Sequence, residues 1–229
     1  MRLAIIPARG GSKRIPRKNI KPFGGLPMIA WPIKAALQSR CFDRVIVSTD
    51  DAEIAQVAQV HGAEVPFMRP PELADDHTGT VSVIAHAIQW MQANGMSPRE
   101  VCCIYATSPF VDAEDLQIGL QILLDSDASF AVSVTNYPYP IQRALQMTEQ
   151  GRLQMIQPTY LRARTQDLTE AWHDAGMFYW GRPAAWLAGE SIFSQLPVPV
   201  RLPRYKVHDI DTLQDWNEAE LLHAFLRRN

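Results

Sequence analysis

An α/β protein with a doubly wound, mainly parallel sheet is the fold class that the sequence predicts. Four short runs of apolar residues are typical of strands buried on both faces of a sheet, and helical patterns lie between them. The runs cover residues 3–6, 45–48, 101–105 and 130–134. Strands that alternate with helices in this way form parallel sheets with helices on both faces.

The helices are predicted from apolar residues at helical spacing and from acidic residues at helix starts. Between residues 80 and 93, the residues Val81, Ile84, Ile88 and Met91 fall on one helical face. Acidic residues open two other segments, which suits the positive end of a helix dipole. The predicted helices cover residues 27–39, 51–60, 80–93, 112–124 and about 212–227.

The strand ends locate the expected binding site. Ligands of such sheets bind beyond the carboxyl ends of the strands, so the loops that start at Pro7, Thr49 and Ala106 should converge. Residues 1–229 are predicted to form one domain. Within it, residues 136–172 interrupt the alternation and are predicted to be an insertion, either a small lobe or a dimer contact. The strand pattern returns at 176–180.

Composition excludes several classes of protein. Cys41, Cys102 and Cys103 have neither a disulfide pattern nor the spacing of a zinc site, which is typical of thiols in a reducing cytosol. No apolar stretch reaches the ~18 residues of a membrane span, and the N-terminal run is too short for a signal peptide. A cytoplasmic protein without membrane insertion is therefore expected. The net charge of −2 argues against nucleic acid as a partner.

A basic loop follows the first predicted strand. Residues 1–42 carry nine Lys or Arg and no Asp or Glu, whereas the rest of the chain has a net charge of −11. In residues 6–19, two glycines would let backbone amides approach an anion, a serine adds a hydroxyl donor, and five cations could hold phosphates. These residues are Gly10, Gly11, Ser12, Arg9, Lys13, Arg14, Arg17 and Lys18. The spacing is neither that of a P-loop nor that of a dinucleotide fingerprint. The alternative, a solvated basic surface loop, fits its place after a strand less well.

An acidic pair precedes the last predicted helix. In an extended segment, Asp209 and Asp211 would point to the same side and could share a divalent cation. The alternative is a solvated turn that caps the helix.

Together these residues resemble the CMP-sugar synthetases of nonulosonic acids. Residues 6–19 are similar to the signature loop of that family. The segments 47–51, 69–74, 107–109 and 209–211 follow in the family's order, so that the resemblance spans almost the whole chain. It implies a Rossmann-like nucleotidyltransferase fold, a homodimer in which residues 136–172 reach across, and Mg²⁺ (or Mn²⁺) as cofactor. The implied reaction converts CTP and an acidic nine-carbon sugar to a CMP-sugar and pyrophosphate.

The resemblance also implies roles for individual residues. Nucleotide binding is expected from Ala8, Arg9, Gly10, Gly11, Ser12, Lys13, Asn19, Arg69 and Thr80. Catalysis is expected from Arg9, Lys13 and Asp211, and metal binding from Asp209 and Asp211. Sugar binding is expected from Tyr105, Asp174 and Phe178, with Arg164 (or Arg162) for the sugar carboxylate. Neither His173 nor His208 is identified as a general base.

Two departures from the sialic acid enzymes bear on the identity of the sugar. Tyr105 stands where they carry a glutamine, and residues 173–176 read His-Asp-Ala-Gly where they carry Asn-Gly. These departures favour pseudaminic acid, with sialic and legionaminic acids as alternatives. The synthetases of Kdo carry a different first loop. Outside the enzyme class, a non-catalytic nucleotide-binding protein and a polyanion-binding protein remain open.

Overall fold

A six-stranded sheet forms the centre of the protein in a computed structural model that describes residues 1–75, 78–189 and 191–227. Its strands are β1 (Arg2–Pro7), β4 (Arg44–Ser48), β5 (Glu100–Ile104), β6 (Phe130–Asn136), β9 (Trp172–Gly181) and β10 (Val198–Arg201). Two small hairpins lie outside the sheet, one formed by β2 (Pro22–Phe23) and β3 (Leu26–Pro27), the other by β7 (Leu145–Met147) and β8 (Leu153–Met155).

The sheet is mainly parallel, as predicted. The strand order is β10-β6-β9-β5-β1-β4, in which β4, β1 and β5 run parallel to one another and β10 runs parallel to β6. Strand β9 differs from the prediction, because it is longer and runs antiparallel to both neighbours. The chain passes from β6 to β9 without a crossover helix, and a strand that returns in this way pairs in the antiparallel sense.

Six helices cover the sheet in the part of the chain that the structure describes. They are α1 (Ala30–Ser39), α2 (Ala52–Val60), α3 (Thr80–Ala93), α4 (Ala113–Leu124), α5 (Pro183–Leu187) and α6 (Leu213–Leu226). Five of them match predicted helices; α5 was not predicted. Helix α1 begins later than predicted, because Leu26 and Pro27 pair with residues of β2. Helices α4 and α6 each begin at a capping box, in which Asp112 and Thr212 accept backbone N–H groups that the helix leaves unpaired.

Two hydrophobic cores, one on each face of the sheet, account for the doubly wound arrangement. On one face, Ile33 of α1, Leu116 of α4 and Trp216 of α6 pack in a single cluster. On the other face, Ile84 and Ile88 of α3 pack with residues of α5. Burying apolar surface on both faces explains why the strands are apolar throughout instead of alternating.

Residues 137–171 leave the sheet after β6 and return at β9, at the place of the predicted insertion. They contain the β7–β8 hairpin and short 3₁₀ turns. Several of their large apolar side chains are exposed: Tyr139, Leu145, Met147, Leu153, Ile156 and Leu161. Within residues 1–75, 78–189 and 191–227, no helix has the length and hydropathy needed to cross a membrane.

Candidate active site

The loops that follow β1 and β5 meet at one cleft, as the strand ends predict, and the loop that follows β4 supports the first of them through Asp50. Three adjoining cavities share Tyr105. The loop cavity (≈ 190 Å³) is lined by Arg9, Ser12, Lys13, Arg14, Lys18 and Asn19. The Arg69 cavity (≈ 230 Å³) is lined by Pro7, Arg9, Arg69, Asp75, Thr78 and Thr80. The acidic cavity (≈ 660 Å³) is lined by Arg14, Lys18, Asp174, Tyr179, Asp209 and Asp211.

The basic loop is held in place by polar groups of its own chain. The Gly10 amide donates to Asp50 Oδ1 (2.9 Å), and Asn19 Nδ2 donates to the carbonyl oxygen of Arg9 (2.9 Å). A Cβ atom on Gly10 would lie 2.8 Å from Asp51 Oδ2, so this position requires glycine. At Gly11 a Cβ would meet nothing within 4 Å. The two glycines therefore differ: only Gly10 is demanded by close packing.

Arg17 anchors the loop and does not line the cleft. Its guanidinium donates to Asp51 Oδ2 (2.5 Å) and Oδ1 (2.9 Å) and also contacts Glu53. The hydrogen bonds from Arg17 lower the pKa of Asp51 to about 2 against the opposing effect of burial. Arg17 adopts a left-handed backbone (φ 55°), which is uncommon outside glycine and asparagine. Of the five loop cations, this one is used to fix the loop to the start of α2.

Replacing Arg17 with Ala should destabilise the fold by about 1 kcal/mol, because partly exposed ion pairs contribute little. Arg17→Gly should be less destabilising, since glycine removes the left-handed strain of about 1–2 kcal/mol. The ion pair favours ionised Asp51, so its contribution is present above the unfolded pKa of about 4 and is lost as the pH falls through 2. Urea unfolding at pH 7 and pH 3 measures the free energy of unfolding, and the difference in that free energy between the wild type and Arg17→Ala should be smaller at pH 3. An unchanged difference would contradict this account.

A buried cation forms the floor of the Arg69 cavity. Only 5% of Arg69 is exposed; Nε donates to Ser48 Oγ (3.1 Å), and the guanidinium also contacts the Ser48 carbonyl oxygen. Burial lowers the pKa of Arg69 to about 10; nearby Asp50 opposes that effect and Arg9 adds to it. Thr80 Oγ1 and the Tyr105 hydroxyl lie 3.0 Å apart on the same cavity wall. A polar ligand that accepts hydrogen bonds fits such a pocket.

At the other end of the cleft, two tyrosines lie beside Asp174. The Tyr179 hydroxyl donates to Asp174 Oδ2 (2.5 Å), and the Gly176 amide donates to Oδ1 (2.8 Å). The rings of Tyr105 and Tyr179 meet edge to face at 5.6 Å. Burial raises the pKa of Tyr105 to about 12 and raises that of Tyr179 as well, so both hydroxyls keep their protons at neutral pH.

Phe178 does not reach the cleft, contrary to its expected place at the sugar. Its side chain is fully buried, lines none of the three cavities and packs against α4 at Gly119, where a Cβ would lie 2.9 Å from the ring. Neighbouring strand residues point to opposite faces. Tyr179, which the sequence reasoning missed, is therefore the residue of this pair that meets Asp174. Strict alternation along β9 would place Phe178, four residues from Asp174, on the same face as Asp174. The register shift between Asp174 and Tyr179 reverses this, so no local signal in the sequence identifies Tyr179.

The acidic pair lies where the loop cations can meet it. Asp209 is exposed, Asp211 is partly buried, and both line the acidic cavity. Asp211 forms ion pairs with Arg14 Nη1 (2.6 Å) and Lys18 Nζ (3.4 Å). Lys18 Nζ also donates to the carbonyl oxygen of Ile210 (2.7 Å). Residues 207–211 are irregular and do not form a strand. The positions of the two carboxylates are therefore set by packing around the cavity and not by the alternation of side chains along a strand.

The donor set of the pair fits a hard divalent cation. Mg²⁺ is commonly held by one or two carboxylates together with phosphate oxygens of a substrate. Among the described residues, no group of three or more His, Cys, Asp or Glu could hold a metal alone. Asp209 and Asp211 would therefore hold such an ion jointly with phosphates on the basic loop.

Of the remaining expected residues, four lie at or near the loop cavity and one, Arg164, lies away from the cleft. Ser12 and Lys13 line the loop cavity, and Asn19 is buried beside it. Ala8 is also buried, and its amide donates to the Ser48 carbonyl oxygen (3.0 Å), which continues the sheet. Arg164 lies exposed in residues 137–171 and lines none of the three cavities. Within a single chain, the structure does not bring Arg164 to the cleft.

Comparisons with known proteins identify relatives of this chain. A family model described as cytidylyltransferase matches residues 3–176. A pseudaminic acid cytidylyltransferase of Campylobacter jejuni is 43% identical over 221 residues, which cover 96% of this chain and 95% of the relative. A CMP-N,N'-diacetyllegionaminic acid synthase of Legionella pneumophila is 32% identical, with coverage of 96% and 95%.

A solved structure is similar as well. A CMP:2-keto-3-deoxy-manno-octonic acid synthetase complexed with CTP superposes with a TM-score of 0.70 over 97% of this chain and 98% of the other. At 19% identity this likeness shows the fold alone. The family model covers most of the chain, and two relatives above 30% identity cover nearly all of it. The chain therefore belongs to the cytidylyltransferase family of enzymes.

Proposed function

We propose that the protein transfers CMP from CTP to pseudaminic acid and releases pyrophosphate. The observation that carries the proposal is that a basic loop and an acidic pair line one cleft in a member of the cytidylyltransferase family. The relative from Campylobacter jejuni, similar over nearly its whole length, is named for pseudaminic acid. An acceptor bound beside Tyr105, Tyr179 and Asp174 would share the acidic cavity with Asp209 and Asp211.

The chemistry proposed for the cleft is a single displacement at phosphorus. The anomeric hydroxyl of the sugar forms a bond to the α-phosphorus of CTP, the bond to the β-phosphate oxygen breaks, and pyrophosphate leaves. Arg9, Ser12 and Lys13 line the loop cavity and would hold the triphosphate, with Lys13 and Arg9 near the charge that develops on the leaving group. Such reactions depend on positioning and charge stabilisation and need no protein nucleophile.

The nucleoside is assigned to the Arg69 cavity. Arg69 and Thr80 line it. Asn19 lines the adjoining loop cavity and donates to the carbonyl oxygen of Arg9, which lines both cavities. The amides of Ala8 and Gly10 are bonded to Ser48 and Asp50, so we assign these two residues to loop shape rather than to direct hydrogen bonds with CTP. Gly11 is unobstructed, and its backbone is the better candidate for a close approach by phosphate.

A divalent cation, Mg²⁺ or Mn²⁺, is proposed as cofactor, held by Asp209 and Asp211. When bound, it would neutralise phosphate charge and polarise the attacking hydroxyl. The chain's own contribution is to hold two carboxylates at the edge of a cationic loop, where Arg14 and Lys18 already orient Asp211. We propose no general base.

The substrate assignment is tested by measuring pyrophosphate release from CTP and Mg²⁺ with pseudaminic, sialic and legionaminic acids and Kdo offered separately. Turnover is expected with pseudaminic acid and should be lost in Lys13→Ala. Preference for another of these sugars would keep the chemistry and overturn the sugar assignment. CTP binding without turnover on any of them would instead favour a non-catalytic nucleotide-binding protein.

A homodimer is proposed from the surface of residues 137–171. This segment exposes nine large hydrophobic side chains, among them Met147 and Leu153, both about two-thirds exposed, and large exposed apolar patches mark protein–protein contacts. A second copy that covers them could also bring Arg164 to its partner's cleft. One chain has a mass of 25.8 kDa, and sedimentation velocity should give a species of twice that mass. A species with the mass of one chain at micromolar concentration would refute the dimer.

A cytoplasmic location is proposed because the reaction needs CTP. The three buried, free cysteines agree with a reducing compartment. Fractionation of the native cells should recover the protein with cytosolic markers, and recovery with an oxidising compartment would refute the assignment.

A further inference from the structure

Lys206 holds the chain that leads into the acidic pair. Its ammonium nitrogen lies 2.6 Å from Asp112 Oδ2, 3.0 Å from Asp115 Oδ1 and 2.9 Å from Asp115 Oδ2. Only 16% of the Lys206 side chain and 8% of the Asp115 side chain are exposed. Lys206 and its two carboxylate partners, called the Lys206 clamp below, join residues 204–206 to the start of α4.

The carboxylates of the Lys206 clamp need this cation. Asp112 and Asp115 also form the capping box of α4, so both are fixed at the helix start. Burial raises the pKa of Asp115. At Asp112 burial acts in the same direction, but Lys206 and the hydrogen bonds with Asp115 together outweigh it and lower the pKa. A buried carboxylate without a cation is costly, whereas a paired one with further hydrogen bonds is tolerated. The ammonium group of Lys206 is thus held at the start of α4 by the negative charges of Asp112 and Asp115.

The clamp connects two walls of the cleft. One wall is the loop after β5, which carries Tyr105 and Thr107 in the acidic cavity and continues into α4. The other wall is residues 207–211, which begin directly after Lys206. Between the walls, the rings of Phe110 and His208 lie 5.1 Å apart.

The far end of residues 207–211 is held separately. Lys18 Nζ donates to the carbonyl oxygen of Ile210, and Arg14 pairs with Asp211. The segment that carries the acidic pair is therefore fixed at one end by the Lys206 clamp and at the other end by the basic loop. When phosphates occupy the loop cations, the contacts of Arg14 and Lys18 with Asp211 must compete with the ligand, but the contacts of Lys206 lie outside the cleft and remain.

We propose that Lys206 is a positioning residue that holds Asp209 and Asp211 where they can bind the divalent cation together with the triphosphate. This inference rests on the proposed function. Lys206 itself lines none of the three cleft cavities. Its contacts are with Asp112 and Asp115, and it touches neither Asp209 nor Asp211. Outer partners that orient metal ligands typically change metal affinity by about 10–100-fold when removed.

The test compares Lys206→Met with Lys206→Arg and with Lys34→Met. Arginine can still pair with both carboxylates. Lys34 is a matched control because it lines the cavity on the other side of the clamp, and its ammonium group lies over the Trp31 ring, 5.4 Å from the centroid. The first readout is Mn²⁺ binding in the presence of CTP without sugar, followed by electron paramagnetic resonance. The second is the Mg²⁺ concentration that gives half-maximal turnover.

Lys206→Met should weaken Mn²⁺ binding by about tenfold and raise the Mg²⁺ requirement equally, while kcat recovers at saturating Mg²⁺. Lys206→Arg and Lys34→Met should resemble the wild type. Unchanged Mn²⁺ binding in folded Lys206→Met, or a loss of kcat that excess Mg²⁺ does not restore, would overturn the inference. If Lys206→Met does not fold, the double variant Lys206→Met/Asp115→Asn, which removes the buried cation together with its buried partner charge, is subject to the same two criteria.

The two proposals fail in different ways. A wild-type protein that binds Mn²⁺ and CTP but turns over none of the sugars would refute the proposed reaction, and Mn²⁺ binding would still decide the role of Lys206. A wild-type protein that turns over sugar with unchanged Mg²⁺ dependence in Lys206→Met would refute the positioning role alone.

Discussion

Asp211→Asn is expected to lower kcat/KM at saturating Mg²⁺ by about a hundredfold or more. A metal that stabilises charge in the transition state is worth several kcal/mol, and each 1.36 kcal/mol is a factor of ten in rate. Asp211 is the more buried member of the acidic pair, and it faces the loop where the phosphates are proposed to bind. Asn keeps the shape and removes the charge. Steady-state kinetics over a range of Mg²⁺ concentrations measures the effect.

A purely structural role for Asp211 predicts a different result. In the structure, the carboxylate neutralises Arg14 and Lys18, so its loss would leave two cations side by side. If metal binding is the function, metal-free CTP should bind Asp211→Asn as tightly as the wild type or more tightly, because both cations are released to the phosphates. Weaker metal-free CTP binding together with a lower Tm would contradict the metal role. Glu53→Gln is the matched control, since Glu53 contacts Arg17 of the same loop but lies outside the cleft.

The sequence was sufficient to predict five of the six strands of the central sheet, though not β10, and the edge at which their loops meet. Apolar runs and helical spacing are local signals, and the direction of parallel strands then brings the ends of β1, β4 and β5 to one edge. Arg9 and Lys13 were found for that reason, because they belong to the loop that follows the first predicted strand. Arg69 was expected only from the family resemblance. Charge asymmetry pointed to the same edge.

The contacts at the far end of the cleft were not predictable in this way. They depend on β9, whose antiparallel insertion between β5 and β6 is a long-range event, and on the shift of its register opposite Val132 and Val134. Register decides which of Phe178 and Tyr179 faces Asp174. Likewise, the sequence predicts a phosphate-binding role for Arg17, which the fold uses as an anchor instead, and it predicts no role for Lys206. Their partners, Asp51 and Asp115, are distant in the chain, and only the fold brings these charges together.

Arg69→Met should raise the KM for CTP by about 10–100-fold, because hydrogen bonds to a buried charged group contribute about 1.5–3 kcal/mol. Cytosine presents two adjacent acceptors, N3 and O2, which suit a group that only donates, such as guanidinium. Uracil presents an N–H at N3, which a guanidinium cannot accept. The preference for CTP over UTP should therefore decrease in Arg69→Met, as kcat/KM for the two nucleotides will show.

The stability of the same variant separates binding from folding. The pKa of Arg69 falls to about 10 mainly through burial, which means that folding disfavours its charged form and that this cation costs stability at neutral pH. Burying a charge costs free energy of folding unless the charge is paired, and an apolar side chain of similar length removes that cost, which offsets the lost hydrogen bond to Ser48 Oγ. The Tm of Arg69→Met should consequently stay unchanged or rise while the preference for CTP over UTP falls. Arg44→Met is the control: it removes an ion pair with Glu64 at the opposite end of β4 and should leave the nucleotide preference unaltered. A fall in Tm with retained preference for CTP would mean that Arg69 serves the fold through Ser48 and does not read the base. A residue that lowers stability and yet lies at the floor of the cleft is explained by ligand binding better than by folding.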